Sequence, residues 1–325
     1  MSVELPPPAP AGITRIAVDA AAERERWLAL RQQDITASVI FALVGEHEYT
    51  TAFEQWAIKS GQLTPSAEQT DAMERGTELE SVAINVLRRR QPTWSVAYPV
   101  GLYYRDEKHR IGCTPDAFAT DPDLPGFGIV QVKSVEPFIF AKKWKQPDGT
   151  IEPPFWIACQ ALTEACLTGA SWACVAALTV GHKLTVHIVP IPLHTAFMDR
   201  LRSEADAFWR AVENKQPPAA DFARDGATIE DLYNPTTLIA DLSSDNSLPG
   251  LLDERESLTA QKKVIEARAK EIKAELLSKL GSNAGGRLAD GRTIVAKILK
   301  REAYTVNATE YVDLRVKGAS QGASA

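Results

Sequence analysis

A chain of 325 residues, 45% hydrophobic and 24% charged, has the composition of a folded globular protein and is long enough for one large domain with an appendage. Its net charge of −6 argues against a protein that coats nucleic acid without specificity, because such proteins are usually basic. A metal site remains compatible with this charge, because hard cations need carboxylate ligands.

The cysteines and the N-terminus indicate the compartment. Cys113, Cys159, Cys166 and Cys174 form no CxxC pair, and we expect buried free thiols in a reducing cytoplasm. Residues 1–14 begin with a Pro/Ala-rich stretch and are expected to be disordered, with no basic start or apolar core of a signal peptide. No apolar run reaches the ~18 residues that span a bilayer, so no membrane association is expected.

The N-terminal part of the chain has helical periodicity. The pattern over residues 20–43 is interrupted near 34–38, where Thr36 or Ser38 is placed to cap a second helix. Further helices are expected at about 51–60 and 67–90.

The pattern then becomes that of a mixed α/β fold. Strands are expected at 94–104, 111–119, 128–134, 173–179 and 183–190. Helices are expected at 154–167 and 193–213. This order predicts a mixed central β-sheet flanked by helices.

The C-terminal part has a different composition. Residues 15–217 are predicted to form the main domain, and the polar, Pro-containing segment 218–250 a linker. A charged helix over 251–280 and a hairpin turning at Asp290-Gly291 complete an accessory module, 251–325. That helix either packs against its own hairpin or contacts a partner.

The chemistry-bearing residues lie on two of the predicted strands. Asp116 follows a proline in one of them, and Gln131 and Lys133 lie two apart on the next, so these two share a face. A carboxylate, an amide and the Val132 carbonyl are the kind of oxygen ligands that Mg²⁺ takes, and the lysine can orient or deprotonate a water. Taken alone, the spacing also fits a turn aspartate beside the solvated face of an edge strand.

Four short motifs add to this pair in matching order along the chain. They are Trp27–Arg31 followed by Ile35–Ser38; Gly76–Glu80; Tyr104–Glu107 followed by Gly112–Asp116; and Gln160 before Thr168-Gly169. With them the chain resembles, over residues 24–215, the lambda-exonuclease/YqaJ viral recombinase family of PD-(D/E)XK nucleases. The resemblance implies a restriction-endonuclease-like core.

The resemblance also implies roles for individual residues in a Mg²⁺ or Mn²⁺ site. Asp116 would be the principal metal ligand, with Gln131 and the Val132 carbonyl beside it, and Lys133 the catalytic lysine. Glu80 would approach from the long helix as an outer or second-metal ligand. An accessory carboxylate near the metals would come from Asp106.

A second set of positions matches those that hold a terminal 5′-phosphate in the family. They are Arg31, Ser38, Thr114 and Gln160. A guanidinium suits this task because its fork binds phosphate bidentately. Leu162 stands where the family pattern has a second glutamine.

Two residues of the core motif depart from the family. Gln131 replaces the usual glutamate and offers a neutral amide oxygen, so metal affinity should fall unless Glu80 or Asp106 compensates. Ala117 replaces the usual glycine.

A basic segment with interleaved aromatic residues follows the third strand. Lys142, Lys143 and Lys145 stand near Phe138, Phe140 and Trp144. This composition suits a surface that follows a DNA backbone and stacks on an unpaired base. It equally suits an exposed loop whose aromatics pack inward.

The function implied by the resemblance is a metal-dependent 5′→3′ exonuclease on double-stranded DNA ends, generating single strands for phage-type recombination. It would act as a ring-shaped trimer in the cytoplasm of a bacterial host, encoded by a phage or prophage, together with a single-strand annealing recombinase. Two alternatives stay open: an endonuclease or repair nuclease on the same core, and a DNA-binding or assembly protein in which Gln131 has impaired catalysis.

Overall fold

The computed structural model describes residues 9–19, 22–64, 70–98, 101–300 and 312. Its contacts divide the chain into two compact units, Met1–Tyr233 and Asn234–Ala325. Of the segment expected to be disordered, residues 1–8 lie outside the described residues, whereas Ile13 and Thr14 already belong to a strand. Residues 20–21, 65–69, 99–100, 301–311 and 313–325 also lie outside the described residues.

The strands are β1 Ile13–Ala17, β2 Ile35–Thr36, β3 Ser95–Ala97, β4 Leu102–Asp106, β5 Ile111–Cys113, β6 Ala117–Thr120, β7 Gly128–Val135, β8 Trp172–Val180, β9 Leu184–Ile191, β10 Gly285–Arg287 and β11 Thr293–Val295. The helices are α1 Arg24–Gln33, α2 Ala52–Lys59, α3 Asp71–Arg90, α4 Pro137–Lys143, α5 Phe155–Thr168, α6 Thr195–Glu213, α7 Gly226–Leu232 and α8 Leu248–Leu280. A short 3₁₀ helix covers Ile40–Val44.

Two mixed sheets form the first unit. The larger has the strand order β3-β6-β7-β8-β9, in which only β7 and β8 run parallel. Its parallel pair is joined through α4 and α5, since parallel neighbours need a long crossover. The smaller sheet has the order β1-β4-β5-β2. The predicted mixed α/β class is confirmed, with two sheets in place of one.

Helices cover both faces of the larger sheet. On one face, Val130 and Val132 of β7 join a core with Val86 and Leu87 of α3. On the other, Ile129 joins the main core together with residues of α5. Helix α5 also contacts β4 and β5, so it lies between the two sheets, which explains why it is apolar on nearly all sides.

Two of the predicted strands are each divided between the sheets. The 94–104 segment contains β3 of the larger sheet and β4 of the smaller one, and 111–119 contains β5 and β6 in the same way. Between β5 and β6 stands Pro115, which has no N–H for a ladder hydrogen bond. The chain therefore leaves one sheet at Cys113 and enters the other at Ala117, directly after Asp116.

The predicted cap at residues 36–38 is wrong. Thr36 lies in β2, which pairs in parallel with β5, and Ala37 N donates to the Gly112 carbonyl at 2.8 Å. These ladder hydrogen bonds take the place of a helix start. Gly112 is required here, because a Cβ would lie 1.9 Å from the Tyr103 hydroxyl oxygen.

The segment assigned to a linker begins with ordered structure. Helix α7 lies within it, and Arg224 donates to the carbonyls of His47, at 2.6 Å, and Thr50, at 3.1 Å. Thr51, the N-cap of α2, donates through its hydroxyl to Asp225. These contacts attach residues 224–225 to the first unit.

The second unit contains α8 and the small hairpin. Leu280 at the end of α8 is buried and lies 3.2 Å from where a Cβ on Gly286 would stand. The hairpin turns at Asp290-Gly291, and Gly291 has a φ of +87°, so the predicted turn is confirmed. The apolar residues Leu258, Ile265 and Ile272, seven apart, are exposed.

None of the helices in the described part of the chain combines the length and apolar character of a membrane span. The four thiols are all free, as predicted, with three of them buried and Cys166 partly so.

Candidate active site

Asp116 lies at the point where β6 begins against β7. Ala117 pairs with Val130 in the antiparallel ladder, so Asp116 faces Gln131. Its Oδ2 accepts the Val132 N–H at 2.8 Å and a short hydrogen bond from Gln131 Nε2. The aspartate thereby extends the ladder by one rung with its side chain, which fixes the carboxylate at the strand end.

The Gln131 amide stands between two oxygen atoms. Its Nε2 donates to the Asp116 carboxylate and lies 3.4 Å from the Val132 carbonyl oxygen. Its Oε1 is buried and has no hydrogen-bond partner among the residues that the structure describes. Rotating the amide by half a turn would put the Oε1 atom in the place of Nε2, beside the Asp116 carboxylate and the Val132 carbonyl oxygen.

These donors fit a hard divalent cation. Among the residues that the structure describes, no group of three His, Cys, Asp and Glu side chains is placed to hold a metal ion. The set at this site instead combines one carboxylate, one amide oxygen and one backbone carbonyl, all of which are oxygen ligands of the kind that Mg²⁺ takes. The Gln131 Oε1 without a partner is the observation that favours a cation here.

Burial and charge raise the pKa of two acids at this site. The pKa of Asp116 rises to about 7, mainly through burial; Lys133 lowers it and the charge of Glu80 raises it further. Burial also raises the pKa of Glu80, against a hydrogen bond from Tyr98 and the charge of Lys133. Burial is the main cause of both shifts, and a bound cation would favour the ionised form of each carboxylate.

Lys133 points to the same face as Gln131, as the two-residue spacing predicted. Its Nζ donates to Gln160 Oε1 on α5 at 2.9 Å and lies 5.8 Å from the centre of the Trp156 ring. The structure therefore places Gln160, expected at the 5′-phosphate, in direct contact with the predicted catalytic lysine.

Glu164 is an acidic residue at this site that the sequence analysis did not select. Its Oε1 accepts a hydrogen bond from Gln160 Nε2 at 3.0 Å, and only 1% of the residue is exposed. Its Oε2 has no partner within the described part of the chain. Burial raises the pKa of this carboxyl well above its ordinary value, and the charge of Asp116 adds to the effect. The available signal was an acidic residue four positions after Gln160 in an otherwise apolar helix.

The structure brings together three of the four residues predicted to hold a 5′-phosphate, namely Arg31, Ser38 and Thr114. Arg31 at the end of α1 has a guanidinium nitrogen 3.4 Å from the Ser38 hydroxyl, and its guanidinium lies 4.5 Å from the Trp27 ring centre. Trp27 in turn donates to the Thr114 hydroxyl at 3.2 Å. Arg31 forms no ion pair with the described carboxylates, and burial lowers its pKa.

The structure does not bring Asp106 to this site. Its carboxylate accepts hydrogen bonds from the His109 backbone N–H and from Arg202 Nε, both at 3.2 Å. Asp106 itself lies in β4 of the smaller sheet, opposite Ile13 of β1. A surface cavity of about 410 Å³ lies there, lined in part by Asp106, His109 and Arg202. Asp106 is also absent from the charges that shift the pKa of Asp116.

The basic segment after β7 combines the two predicted arrangements, an exposed basic surface and aromatic side chains that pack inward. Phe140 and Trp144 are buried, whereas Phe138 is 73% exposed. The side chain of Lys143 pairs with Glu48, and Lys142 and Lys145 are exposed. Two of the three aromatics therefore belong to the core, and only Phe138 is available for stacking.

A mixed sheet that presents an aspartate at one strand end, with Gln131 and Lys133 on the next strand, defines the PD-(D/E)XK class of folds. Residues 26–171 match the family described as the YqaJ-like viral recombinase domain. That segment contains every predicted site residue from Arg31 to Gln160.

Comparisons with other proteins give weaker likenesses. No curated protein sequence matches the chain. An alkaline exonuclease from Laribacter hongkongensis has 22% identity and a TM-score of 0.46, covering 63% of this chain and 98% of that chain. The Shutoff and Exonuclease Protein from Kaposi's sarcoma associated herpesvirus has 12% identity and a TM-score of 0.36, covering 58% and 69%. These scores are too low to carry a conclusion about activity.

Proposed function

We propose that this protein is a divalent-metal-dependent DNA nuclease that works as a 5′→3′ exonuclease on double-stranded ends. The observation that carries the proposal is the convergence of Asp116, the Gln131 amide and the Val132 carbonyl beside Lys133. The YqaJ-like domain that spans these residues supports it.

The residues of the site have separate tasks in this proposal. When bound, a divalent cation supplies positive charge to the scissile phosphate and lowers the pKa of a coordinated water. Asp116, the Gln131 amide oxygen and the Val132 carbonyl would hold it. Glu80, which lies near enough to raise the pKa of Asp116, would contribute from the α3 side.

Lys133 is placed to act on the attacking water or on a phosphate oxygen. Its amine is held by Gln160 on one side, so its remaining hydrogens can point toward the substrate. Hydrolysis adds the water oxygen to phosphorus and breaks the P–O3′ bond. The water loses a proton and the leaving 3′ oxygen gains one, so the reaction needs no further reagent.

Arg31, Ser38 and Thr114 would hold the terminal 5′-phosphate. Arg31 suits this role because its guanidinium is partly buried, stacks on Trp27 and has no carboxylate partner among the described residues. An anion at this point would satisfy the charge through bidentate hydrogen bonds. Binding of the terminal 5′-phosphate in this pocket would fix how far from the 5′ end cleavage occurs, and the enzyme would therefore be an exonuclease.

The finer biology is part of the same proposal. We infer action on DNA ends in phage-type recombination, with a ring-shaped trimer around the duplex and a single-strand annealing recombinase as partner. The four free thiols suit a reducing cytoplasm. The exposed side chains of Lys142 and Lys145 would contact the DNA backbone.

The proposal is tested by incubating the purified protein with 5′-phosphorylated linear duplex and with covalently closed circular duplex, in Mg²⁺, Mn²⁺ or EDTA. We expect mononucleotides from the linear substrate, an intact circle, and no reaction in EDTA. The control is the Lys133→Ala variant, which should show only background hydrolysis. Cleavage of the circle at the same rate would replace the exonuclease with an endonuclease, and equal background turnover by wild type and Lys133→Ala would favour a non-catalytic DNA-binding protein.

A further inference from the structure

Three side chains form a hydrogen-bonded chain from the sheet into α5. Lys133 Nζ donates to Gln160 Oε1 at 2.9 Å, and Gln160 Nε2 donates to Glu164 Oε1 at 3.0 Å. Gln160 and Glu164 are four residues apart on one helix, so they share a face that points at β7. Glu164 is thus linked to the proposed catalytic amine through the side chain of Gln160.

The middle member of this chain has two chemically different ends. An amide oxygen only accepts and an amide NH₂ only donates, whereas the lysine ammonium only donates. With its ends exchanged, Gln160 would place its NH₂ against the ammonium of Lys133. An acceptor at position 164 removes this choice, because the NH₂ must then face the helix and the oxygen must face the lysine.

We propose that Glu164 is a positioning residue of the nuclease site: it fixes the Gln160 amide in the orientation that presents an oxygen to Lys133. The inference rests on the proposed function and adds a role outside the predicted set of site residues. Lys133 has a flexible four-carbon stem, and the Gln160 oxygen is its hydrogen-bond acceptor in the described part of the chain. Fixing that oxygen therefore fixes the amine.

The packing of Glu164 indicates that the fold does not require a carboxylate there. The residue is 1% exposed between the two sheets, and its Oε2 has no partner among the described residues. It forms no direct ion pair within that part of the chain. A buried carboxyl with an unsatisfied oxygen destabilises a fold, so its presence in an apolar helix points to the site and not to packing.

Helix α5 also contains a buried polar residue, next to Glu164, whose hydrogen bond stays within the helix. Thr163, next to Glu164, is fully buried and directs its hydroxyl to the Cys159 carbonyl at 2.8 Å, within α5 itself. Its polar atom is satisfied locally and has no link to Lys133. Thr163→Val is therefore a matched control for a buried polar residue of this helix.

The test is a double-mutant cycle on kcat with 5′-phosphorylated duplex, using Glu164→Leu, Gln160→Leu and the combination. We expect Glu164→Leu to lower kcat by about 10- to 100-fold and to change KM by less than about threefold, since substrate binding is unaffected and only the amine is misplaced. The double variant should lose no more than Gln160→Leu alone, within about twofold, because Glu164 acts through Gln160.

Two further measurements separate positioning from a structural role. Glu164→Gln keeps an acceptor oxygen for the Gln160 NH₂ and should retain kcat within about threefold of wild type. The melting temperature of Glu164→Leu should equal or exceed that of wild type, since an unsatisfied buried carboxyl is replaced by an apolar side chain. If the leucine variant does not fold, Glu164→Met takes its place in the cycle.

Several results would overturn the role. Glu164→Leu as active as wild type, multiplied losses in the double variant, or Glu164→Gln as impaired as Glu164→Leu would each do so. A kcat loss of the same size in Thr163→Val would assign the effect to helix packing. Wild-type turnover no higher than that of Lys133→Ala would instead overturn the proposed function, and the role with it.

Discussion

Both sheets of the first unit bury acidic side chains, and they differ in how far those acids are satisfied. At the smaller sheet, Asp34 is 0% exposed, and its two oxygens accept from Arg105 Nε at 2.9 Å and from the Tyr103 hydroxyl at 3.0 Å. At the larger sheet, Glu164 and Gln131 each have one side-chain oxygen without a hydrogen-bond partner in the described ranges of the chain. The first cluster is complete in the protein alone, and the second is not.

Two arginines near Asp34 differ in the same way. Arg105 is neutralised by Asp34, whereas Arg31, on the helix just before Asp34, has no carboxylate partner among the described residues. A complete cluster stabilises the fold, and an incomplete one leaves donors or acceptors for a ligand. This contrast separates scaffold from site, and each prediction below tests one side of it.

The largest effect is expected at the incomplete cluster. Asp116→Ala and Lys133→Ala should each lower the rate of phosphodiester hydrolysis by on the order of 10³-fold or more, because a metal ligand or the group that acts on water is lost. Circular dichroism and melting temperature should show a folded protein in both. The matched control is Lys183→Ala in the exposed β8–β9 turn; loss of activity there too would remove the special role of Lys133.

At the complete cluster, the expected effect is on stability. Asp34→Ala leaves the largely buried Arg105 and the Tyr103 hydroxyl unpaired, and should cost about 3–5 kcal/mol in the free energy of unfolding. Urea denaturation measures it. Asp199→Ala breaks an exposed pair with Arg202 and should cost about 0–1 kcal/mol. Equal costs in the two variants would contradict the distinction.

A smaller effect is expected for Arg31→Ala. The ratio of kcat/KM for 5′-phosphorylated over 5′-hydroxyl duplex should fall by about 10- to 100-fold, since hydrogen bonds to a charged group contribute about 1.5–3 kcal/mol. Arg26→Ala is the control on the same helix, because Arg26 is exposed and paired with Glu23. An unchanged ratio in Arg31→Ala would remove this residue from the phosphate pocket.

The last expected effect is on the pH dependence of stability without metal. Folding raises the pKa of Asp116 from its ordinary 3.8 to about 7, so the ionised form is disfavoured in the folded protein and wild-type stability falls as the pH rises from about 4 through 7. Asp116→Asn removes this titration, and the Gln131 amide can turn to accept from the new NH₂.

In EDTA, Asp116→Asn should therefore melt on the order of 10 °C above wild type at pH 8, because the raised pKa costs about 4 kcal/mol and each kcal/mol shifts the melting temperature by about 2–4 °C. The difference should vanish near pH 4. Scanning calorimetry at the two pH values measures it. The same difference in melting temperature at both pH values would show that Asp116 does not titrate as its burial requires.

The sequence predicted the parts of the fold and site that depend on local pattern. The helices at α2, α5 and α6 and the β8–β9 hairpin follow from periodicity and turn residues, and the mixed α/β class follows from their order. That Gln131 and Lys133 share a face follows from strand geometry alone. The family resemblance added Arg31, Ser38 and Thr114, which the structure brings together.

What the sequence could not predict depends on contacts between distant segments. The division of 111–119 into β5 and β6 required knowing that two sheets exist, although Pro115 marks the place. Asp106 matched the family motif, yet Arg202, 96 residues later, pairs with it away from the site. Residues 224–225 looked like part of a polar linker because their partners at 47–51 are far away in sequence.

The sequence by itself determined the strand that carries Gln131 and Lys133, since a period of two is a local property of an extended chain. Only the tertiary structure decided that Gln160 contacts Lys133 and that Glu164 stands behind it. Their helix lies between two sheets that are built from separate parts of the chain. Long-range packing sets that position, and no spacing along the sequence encodes it.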